Sequence, residues 1–206
     1  MILYRPVGLK ELRLIYESGL KAFPPRLPEQ PIFYPVLNLE YARQIAEEWN
    51  ATREPYAGYV TRFAVDDDYA GQFERHVVGG SEHQELWVPS EQLVGFNRHL
   101  DGLIGVVEAF FGDSFRGEIP TEFGFRDLDA VSQFVSLCST LEWSRMDFHL
   151  LIVINHITVF LNYPFWLKRD FSDQGIDETR RLTTLAAIRE SWAKSSLETP
   201  LVVAYP

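Results

Sequence analysis

The sequence contains one cysteine, Cys138, among its 206 residues. A single thiol excludes an intramolecular disulfide and a thiolate-rich metal site, and it is typical of proteins that work in a reducing compartment. Cys138 stands in an apolar run with Phe134, Val135 and Leu137. A free cysteine in such a run usually packs as a small apolar side chain, so we expect a buried thiol rather than a nucleophile.

Basic residues are also in the minority. Lysine and arginine together number 19 against 29 for aspartate and glutamate, which gives a formal net charge of -10. Binding to a phosphate backbone or to an anionic lipid surface requires clustered positive charge. The charge balance therefore argues against nucleic acid as a partner and against attachment to an anionic membrane.

Long hydrophobic runs are absent as well. The longest, residues 150–161, is broken by a polar Asn-His pair, and it has about half the length that a membrane-spanning helix needs. Near the N-terminus, charged residues between positions 5 and 13 interrupt any apolar segment of the kind found in a signal peptide. We expect a cytoplasmic protein without a membrane anchor.

Motifs for metal and phosphate binding are missing too. The five histidines show no paired spacing typical of zinc ligands. The run Asp66-Asp67-Asp68 lacks the spaced oxygen ligands of a calcium loop. The turn at residues 79–81 is not followed by the lysine of a phosphate-binding loop. We therefore predict no metal site and no kinase or hydrolase chemistry.

The first half of the chain alternates between strand and helix patterns. Helical spacing of apolar residues predicts a helix over 9–16 that closes at Gly19, and Asn38 is placed to cap a second helix that ends near Asn50. Residues 91–100 fit a short helix or a loop. Alternation and turn residues predict six strands, at 3–7, 32–34, 58–65, 73–78, 85–88 and 102–111.

The composition changes after Gly112, where a stretch rich in glycine, proline and charge begins. We predict an N-terminal domain over 1–112, a linker or long excursion over 113–126 and a C-terminal region over 127–206. In that region the patterns predict a helix over 127–141, a β-hairpin of strands 146–154 and 157–161 that Pro164 ends, and a helix beginning at Asp177. The fold class is α+β.

Three short segments of the first half occur in an order that resembles a known family. Arg5 lies on the first predicted strand, Tyr34 on the second, and Glu85 on a late strand with Pro89 four residues further on. This order is similar to that of ADP-ribosyltransferases, which carry an Arg or His, then a Ser-Thr-Ser or Tyr element, then a Glu before a strand that ends in Pro. The resemblance covers residues 2–112 and implies a split β-sheet domain.

The resemblance also implies a substrate and roles for these residues. The substrate would be NAD, and breaking the bond between nicotinamide and ribose develops positive charge that the Glu85 carboxylate would stabilise. Arg5 would bind the phosphates of NAD, and Tyr34 would stack on nicotinamide. His83 and Gln84, next to Glu85, would have auxiliary roles toward the acceptor.

The sequence departs from the family pattern on the second strand, where residues 33–36 read Phe-Tyr-Pro-Val instead of Ser-Thr-Ser. A purely structural role, instead of a catalytic or binding one, also stays open for each of these residues. Glu85 would then be a solvated strand residue, Arg5 a cation stacked on an aromatic ring, and Tyr34 a packing residue.

The second half resembles no family that we identify and is rich in aromatic residues. Most of them must form a core, because a small region needs large side chains to bury enough apolar area. The stretch from Asn162 to Trp166 is dense in residue types found at binding hot spots, which indicates a protein partner as an alternative. Two functions follow: an ADP-ribosyltransferase-like toxin or modifier, or a non-catalytic protein of the immunity or antitoxin type, whose acidic charge would suit a basic partner.

Overall fold

A computed structural model of the chain describes residues 1–195, 197 and 199–201. The chain divides into two compact units, Met1–Phe115 and Arg116–Pro206. The division falls three residues after Gly112, where the composition of the sequence changes. Each unit has its own core, and the first combines helices with strands, so the α+β class is confirmed.

The N-terminal unit contains the six predicted strands and four helices. The predicted helix from Asn38 is confirmed, with the Asn38 side chain accepting hydrogen bonds from the first turn, and a π-helical turn, Ile45–Asn50, continues it. The strands are β1 (Ile2–Gly8), β2 (Ile32–Phe33), β3 (Ala57–Val65), β4 (Glu74–Val77), β5 (Gln84–Pro89) and β6 (Leu100–Phe111). The helices are α1 (Leu9–Glu17), α2 (Leu39–Gln44), α3 (Asp67–Ala70) and α4 (Leu93–Arg98).

The strands form two antiparallel sheets of three strands each. One has the order β1-β3-β6 and the other β2-β5-β4. The sheets meet at Val36, which exchanges two backbone hydrogen bonds with Tyr4 of β1, at 2.9 and 2.8 Å, and forms a bridge with Glu85 of β5. Strands β1 and β2 belong to different sheets, and Val36 bridges the two.

Helices cover both faces of these sheets. On one face lie the apolar side of α1, which packs on β1 and β3, and an aromatic cluster whose neighbouring ring centroids are 4.8–6.3 Å apart, formed by Phe23, Phe33, Phe63 and Phe96. On the other face α2 and the π-helical turn pack on Val36 and Val60. Gly58 of β3 permits this approach, because a Cβ atom there would lie 2.0 Å from the backbone oxygen of Ala46.

Among its described residues, the C-terminal unit contains helices joined by turns and loops, and no strand. The predicted first helix and the helix capped by Asp177 are confirmed, and the Asp177 side chain accepts a hydrogen bond from Arg180 N. The helices are α5 (Ala130–Trp143), α6 (Arg145–Ile154), α7 (His156–Lys168) and α8 (Glu178–Lys194). Cys138 is buried in α5, and burial raises the pKa of its thiol, as expected for a core cysteine.

The predicted β-hairpin is wrong. Its two strands are the helices α6 and α7, and Asn155 lies at the bend of 103° between them. Ser144 caps α6 by accepting a hydrogen bond from Asp147 N, and Pro164, predicted to end the second strand, lies inside α7. The prediction rested on Asn155-His156 as a hairpin turn between two apolar runs, but such a local signal is weak and the packing of helices overrides it.

The segment 116–126, predicted as part of a linker or excursion, belongs to the helical unit. Asn162 of α7 is fully buried, accepts a hydrogen bond from Glu118 N at 2.8 Å and donates to Glu118 O at 3.0 Å. Gln133 of α5, also fully buried, donates to Glu118 O and to Leu128 O. Two buried amides thus attach this segment to α5 and α7.

The aromatic stretch from Asn162 to Trp166 is mostly core rather than surface. Asn162, Tyr163 and Trp166 are fully buried, and Trp166 Nε1 donates to Ala130 O at 2.7 Å. This stretch therefore does not offer Tyr163 and Trp166 to a partner.

In the described part of the chain no single helix is long and apolar enough to cross a membrane, although α6 and α7 together meet that test by length and composition.

Candidate functional site

Glu85 lies on the half-buried face of β5. Because strand side chains alternate, Leu86 and Val88 point into the core, while Glu85 and Trp87 share the opposite face. Val36 and His76 pair with Glu85 from the two neighbouring strands, so their side chains lie on this face too. Val36, Glu85 and His76 therefore form a row across the sheet, and Glu85 lies in its middle.

Two side chains orient the Glu85 carboxylate. The Tyr41 hydroxyl, from α2, donates to Oε1 at 2.9 Å, and Trp87 Nε1 donates to Oε2 at 3.3 Å. Burial and the bond to Glu85 raise the pKa of Tyr41 to about 12, so the phenol is a protonated donor at neutral pH. Each carboxylate oxygen keeps lone-pair capacity, since a carboxylate accepts about four hydrogen bonds.

His83 joins this group through Tyr41. The two rings stack with centroids 4.2 Å apart and an angle of 11° between their planes. His83 Nδ1 also lies 3.1 Å from Val78 O, which fixes the ring at the β4–β5 turn. Gln84, the other predicted auxiliary residue, donates from its side chain to Ser81 O at 3.3 Å and so serves the turn rather than the carboxylate.

Tyr34 lies beside the same face. Its ring contacts the edge of Trp87 at a centroid distance of 5.7 Å, and His76 stacks on Trp87 at 3.9 Å. Trp87 is 37% exposed. Tyr34, Trp87 and Glu85 therefore form one aromatic and acidic surface, and we call it the Glu85 face.

Arg5 is placed differently. Tyr4 shares the row of Val36 and Glu85, so Arg5, one residue further along β1, points to the opposite face. There the guanidinium lies 4.5 Å above the Phe33 ring, and Arg5 is 7% exposed. The structure thus brings Tyr34 and Glu85 together but not the Arg5 side chain.

Arg5 belongs to a buried charge cluster with Glu11 and Arg26. Arg5 Nε donates to Glu11 Oε1 at 2.7 Å, and Arg5 Nη1 donates to the backbone oxygen of Tyr34 at 3.2 Å. Arg26 Nη1 lies 3.8 Å from the same Glu11 oxygen. One carboxylate faces two guanidinium groups, so the cluster carries an excess positive charge next to Tyr34.

The environment of this cluster changes the pKa of Arg26. Burial and the charge of Arg5 lower the pKa of Arg26, while Glu11 and Tyr34 act in the opposite direction. Its Nε is buried and has no hydrogen-bond partner among the described residues. Its Nη2 donates to the Gln30 side chain.

Sequence reasoning did not identify Tyr41, Trp87, Glu11 or Arg26. Trp87 carried a usable signal, because it lies two residues from Glu85 and therefore on the same strand face. Tyr41 and Arg26 carried none, since their positions depend on how α2 and the loop after α1 fold back onto the sheet.

In the described part of the chain no group of three or more His, Cys, Asp or Glu residues is arranged to hold a metal ion.

The chain matches no protein-family model, no curated protein and no solved structure. Function must therefore be argued from the Glu85 face and the Arg5, Glu11 and Arg26 cluster themselves.

Proposed function

We propose that the N-terminal unit binds NAD at the Glu85 face and transfers ADP-ribose to an acceptor, as a toxin or modifier does. The observation that carries this proposal is the Glu85 carboxylate, oriented by Tyr41 and Trp87 on a face that aromatic rings flank. The residue order Arg5, Tyr34, Glu85 along a divided sheet agrees with it. A cytoplasmic location would give the protein access to NAD.

The chemistry assigns one step to Glu85. When the bond between the ribose C1′ and the nicotinamide nitrogen breaks, the bonding electron pair leaves with nicotinamide, and the ribose becomes an oxocarbenium-like cation. A fixed carboxylate stabilises that charge and accepts a hydrogen bond from a ribose hydroxyl. The acceptor's nucleophile then forms the new bond to C1′ and releases its proton. Tyr41 and Trp87 would keep the carboxylate in place.

We assign binding of the NAD phosphates to Arg26 and not directly to Arg5, the residue that the sequence predicted for this role. Arg5 would act indirectly, because its guanidinium is paired with Glu11 and holds the backbone of Tyr34. Arg26 clusters with Arg5 and Glu11, and the Arg5 side chain lies on the opposite face from Glu85. Arg26 nevertheless interacts electrostatically with Tyr34 and would provide the charge that a diphosphate neutralises. Tyr34 and Trp87 would stack on the nicotinamide ring.

One observation favours a second candidate, a non-catalytic protein-binding function of the immunity or antitoxin type. The Glu11 carboxylate already pairs with the Arg5 guanidinium and partly neutralises it. Arg5 therefore has no free pair of N–H groups with which to bind a phosphate. A domain that has lost turnover would tolerate such an internal pair. The same unit would then use its acidic surface to meet a basic protein.

The experiment that tests catalysis is release of nicotinamide from NAD by the full chain, with water or an added protein extract as acceptor. We expect Glu85→Gln to lower the rate at least about 100-fold, because the neutral amide does not stabilise the ribosyl cation. Glu91→Gln is the matched control: Glu91 is an exposed glutamate on the turn after β5. It should keep the wild-type rate.

Circular dichroism of both variants shows whether each keeps its fold. Equal rates in the wild type and in folded Glu85→Gln would refute the assigned role of Glu85. Absence of nicotinamide release from the wild type, with and without the extract, would favour the non-catalytic candidate.

A further inference from the structure

The C-terminal unit has an exposed apolar row along α6. Met146, Leu150 and Ile154 follow one another at intervals of four residues, which places them on one side of the helix. They are 77%, 53% and 45% exposed. The opposite side of α6 is buried through Phe148 and Ile152. The helix is therefore apolar on both sides, while its packing in this unit uses only one.

Two aromatic residues extend this row. Trp143, at the end of α5 and next in sequence to the start of α6, is 89% exposed. Phe123 is 70% exposed, and the turn that carries it packs on α6, since a Cβ at Gly124 would touch the Leu151 side chain. We call the surface formed by these five residues the α6 stripe: Phe123, Trp143, Met146, Leu150 and Ile154.

The area of the α6 stripe approaches that of a dimer interface. An aromatic side chain buries about 150–250 Å² when it is fully covered, so the five side chains together expose roughly 600 Å² of apolar surface. Monomeric proteins rarely expose contiguous apolar patches larger than a few hundred Å². A stable protein interface buries about 800 Å² on each partner, and the surrounding polar residues would supply the difference.

The charges around the α6 stripe limit the kinds of partner that could bind to it. From Phe148 to Ile154, α6 carries no aspartate, glutamate, lysine or arginine; its first turn carries one charge of each sign, Arg145 and Asp147, and Glu122 and Glu142 precede the two aromatic residues. A surface depleted of charge is typical of the centre of a protein interface. It selects neither a strongly basic nor a strongly acidic partner, and a net charge of -10 opposes an anionic membrane.

We propose that the α6 stripe is the interface of a symmetric homodimer of this chain. A two-fold axis at Leu150 makes the stripe self-complementary, as an interface between identical copies requires. The two α6 helices then run antiparallel, with Leu150 on Leu150 and Met146 against the partner subunit's Ile154. Trp143 and Phe123 cover the ends of the contact. This proposal does not depend on the function of the Glu85 face.

Sedimentation equilibrium of the full chain, over a range of concentrations from about 1 to 100 μM, tests the proposal. We expect the wild type to sediment with twice the mass of one chain. Leu150→Asp places a carboxylate at the centre of the apolar contact and should weaken association at least about 100-fold. Leu14→Asp is the matched control: Leu14 is a 49% exposed leucine of α1 in the N-terminal unit, and its variant should dimerise as the wild type does.

Three results would overturn the proposal. The wild type could be monomeric at every concentration, Leu150→Asp could remain dimeric, or both aspartate variants could dissociate equally. Flotation with phosphatidylcholine vesicles, with and without phosphatidylserine, is run in parallel. A monomeric wild type whose vesicle binding is lost in Leu150→Asp would assign the stripe to a lipid surface instead. Because Leu150 is exposed, its substitution should leave the circular dichroism spectrum unchanged.

Discussion

Replacing Asn162 with alanine is expected to lower the free energy of unfolding of the C-terminal unit by about 3–5 kcal/mol, one of the two largest effects that we predict. The Asn162 amide makes three hydrogen bonds, two to the backbone of Glu118 and one, at 2.7 Å, to Gln133 Oε1. Removing the amide breaks all three bonds, and the Gln133 oxygen, which is fully buried, loses this donor. A buried unsatisfied group costs about 1–3 kcal/mol.

Urea unfolding followed by far-ultraviolet circular dichroism measures this effect. A loss of this size corresponds to a midpoint lower by about 2 M urea. Asn155→Ala is the matched control, because the Asn155 side chain donates to Leu151 O, a bond within one helical turn. Its expected cost is about 1 kcal/mol. Equal midpoints for the two variants would show that the amide network of Asn162 contributes little.

Replacing Gly58 with alanine should destabilise the N-terminal unit by at least about 3 kcal/mol. The added methyl group would lie 2.0 Å from the backbone oxygen of Ala46 and 2.6 Å from its carbonyl carbon. Backbone atoms of the π-helical turn have no rotamer by which to move away. The turn must therefore leave the sheet, which also displaces Tyr41 and the bond it donates to Glu85.

Thermal unfolding tests this prediction, with an expected fall in the midpoint of about 10–15 °C. Gly105→Ala is the control on the same sheet. Gly105 pairs with Arg62 of β3, and a Cβ there would meet only Arg62 O, at an ordinary contact distance of 3.9 Å. If Gly58→Ala melted within a few degrees of Gly105→Ala, the close packing of the π-helical turn on β3 would be wrong.

The strands of the N-terminal unit were predictable because each carries its own signal. Alternating residues in β3 and the glycine turn between β4 and β5 specify local structure without help from distant contacts. The asparagine cap of α2 is equally local, and the Asn38 side chain accepts hydrogen bonds from two backbone N–H groups. The division of the strands into two sheets around Val36 was expected only from the family resemblance.

The error in the C-terminal unit has a physical cause. Residues 150–154 and 159–161 are two short apolar runs with a polar Asn-His pair between them, and runs of this length do not distinguish a strand from a helix segment. In the fold the first run contributes both to a core side and to the exposed α6 stripe, which hides the amphipathic pattern that identifies a surface helix. Pro164 added to the error, since a proline inside a helix is uncommon.

The candidate site was predictable only in part. Glu85 and Tyr34 were named from residue order, and the fold places them near each other on the Glu85 face. Arg5 was named in the same way, but strand alternation directs its side chain to the other face, where Glu11 binds it. Glu11 lies only six residues after Arg5, but their pairing depends on how α1 folds back against β1 after Gly8, and the local sequence pattern does not specify that approach.

Binding of NAD to the full wild-type chain, measured by isothermal titration calorimetry, tests the central claim most directly. The Glu85 face and the excess positive charge at Arg26 predict one NAD bound per chain, and Arg26→Ala should weaken that binding at least about 10-fold through loss of a charge-assisted contact. No heat of binding at millimolar NAD would contradict the claim that the N-terminal unit is a dinucleotide site.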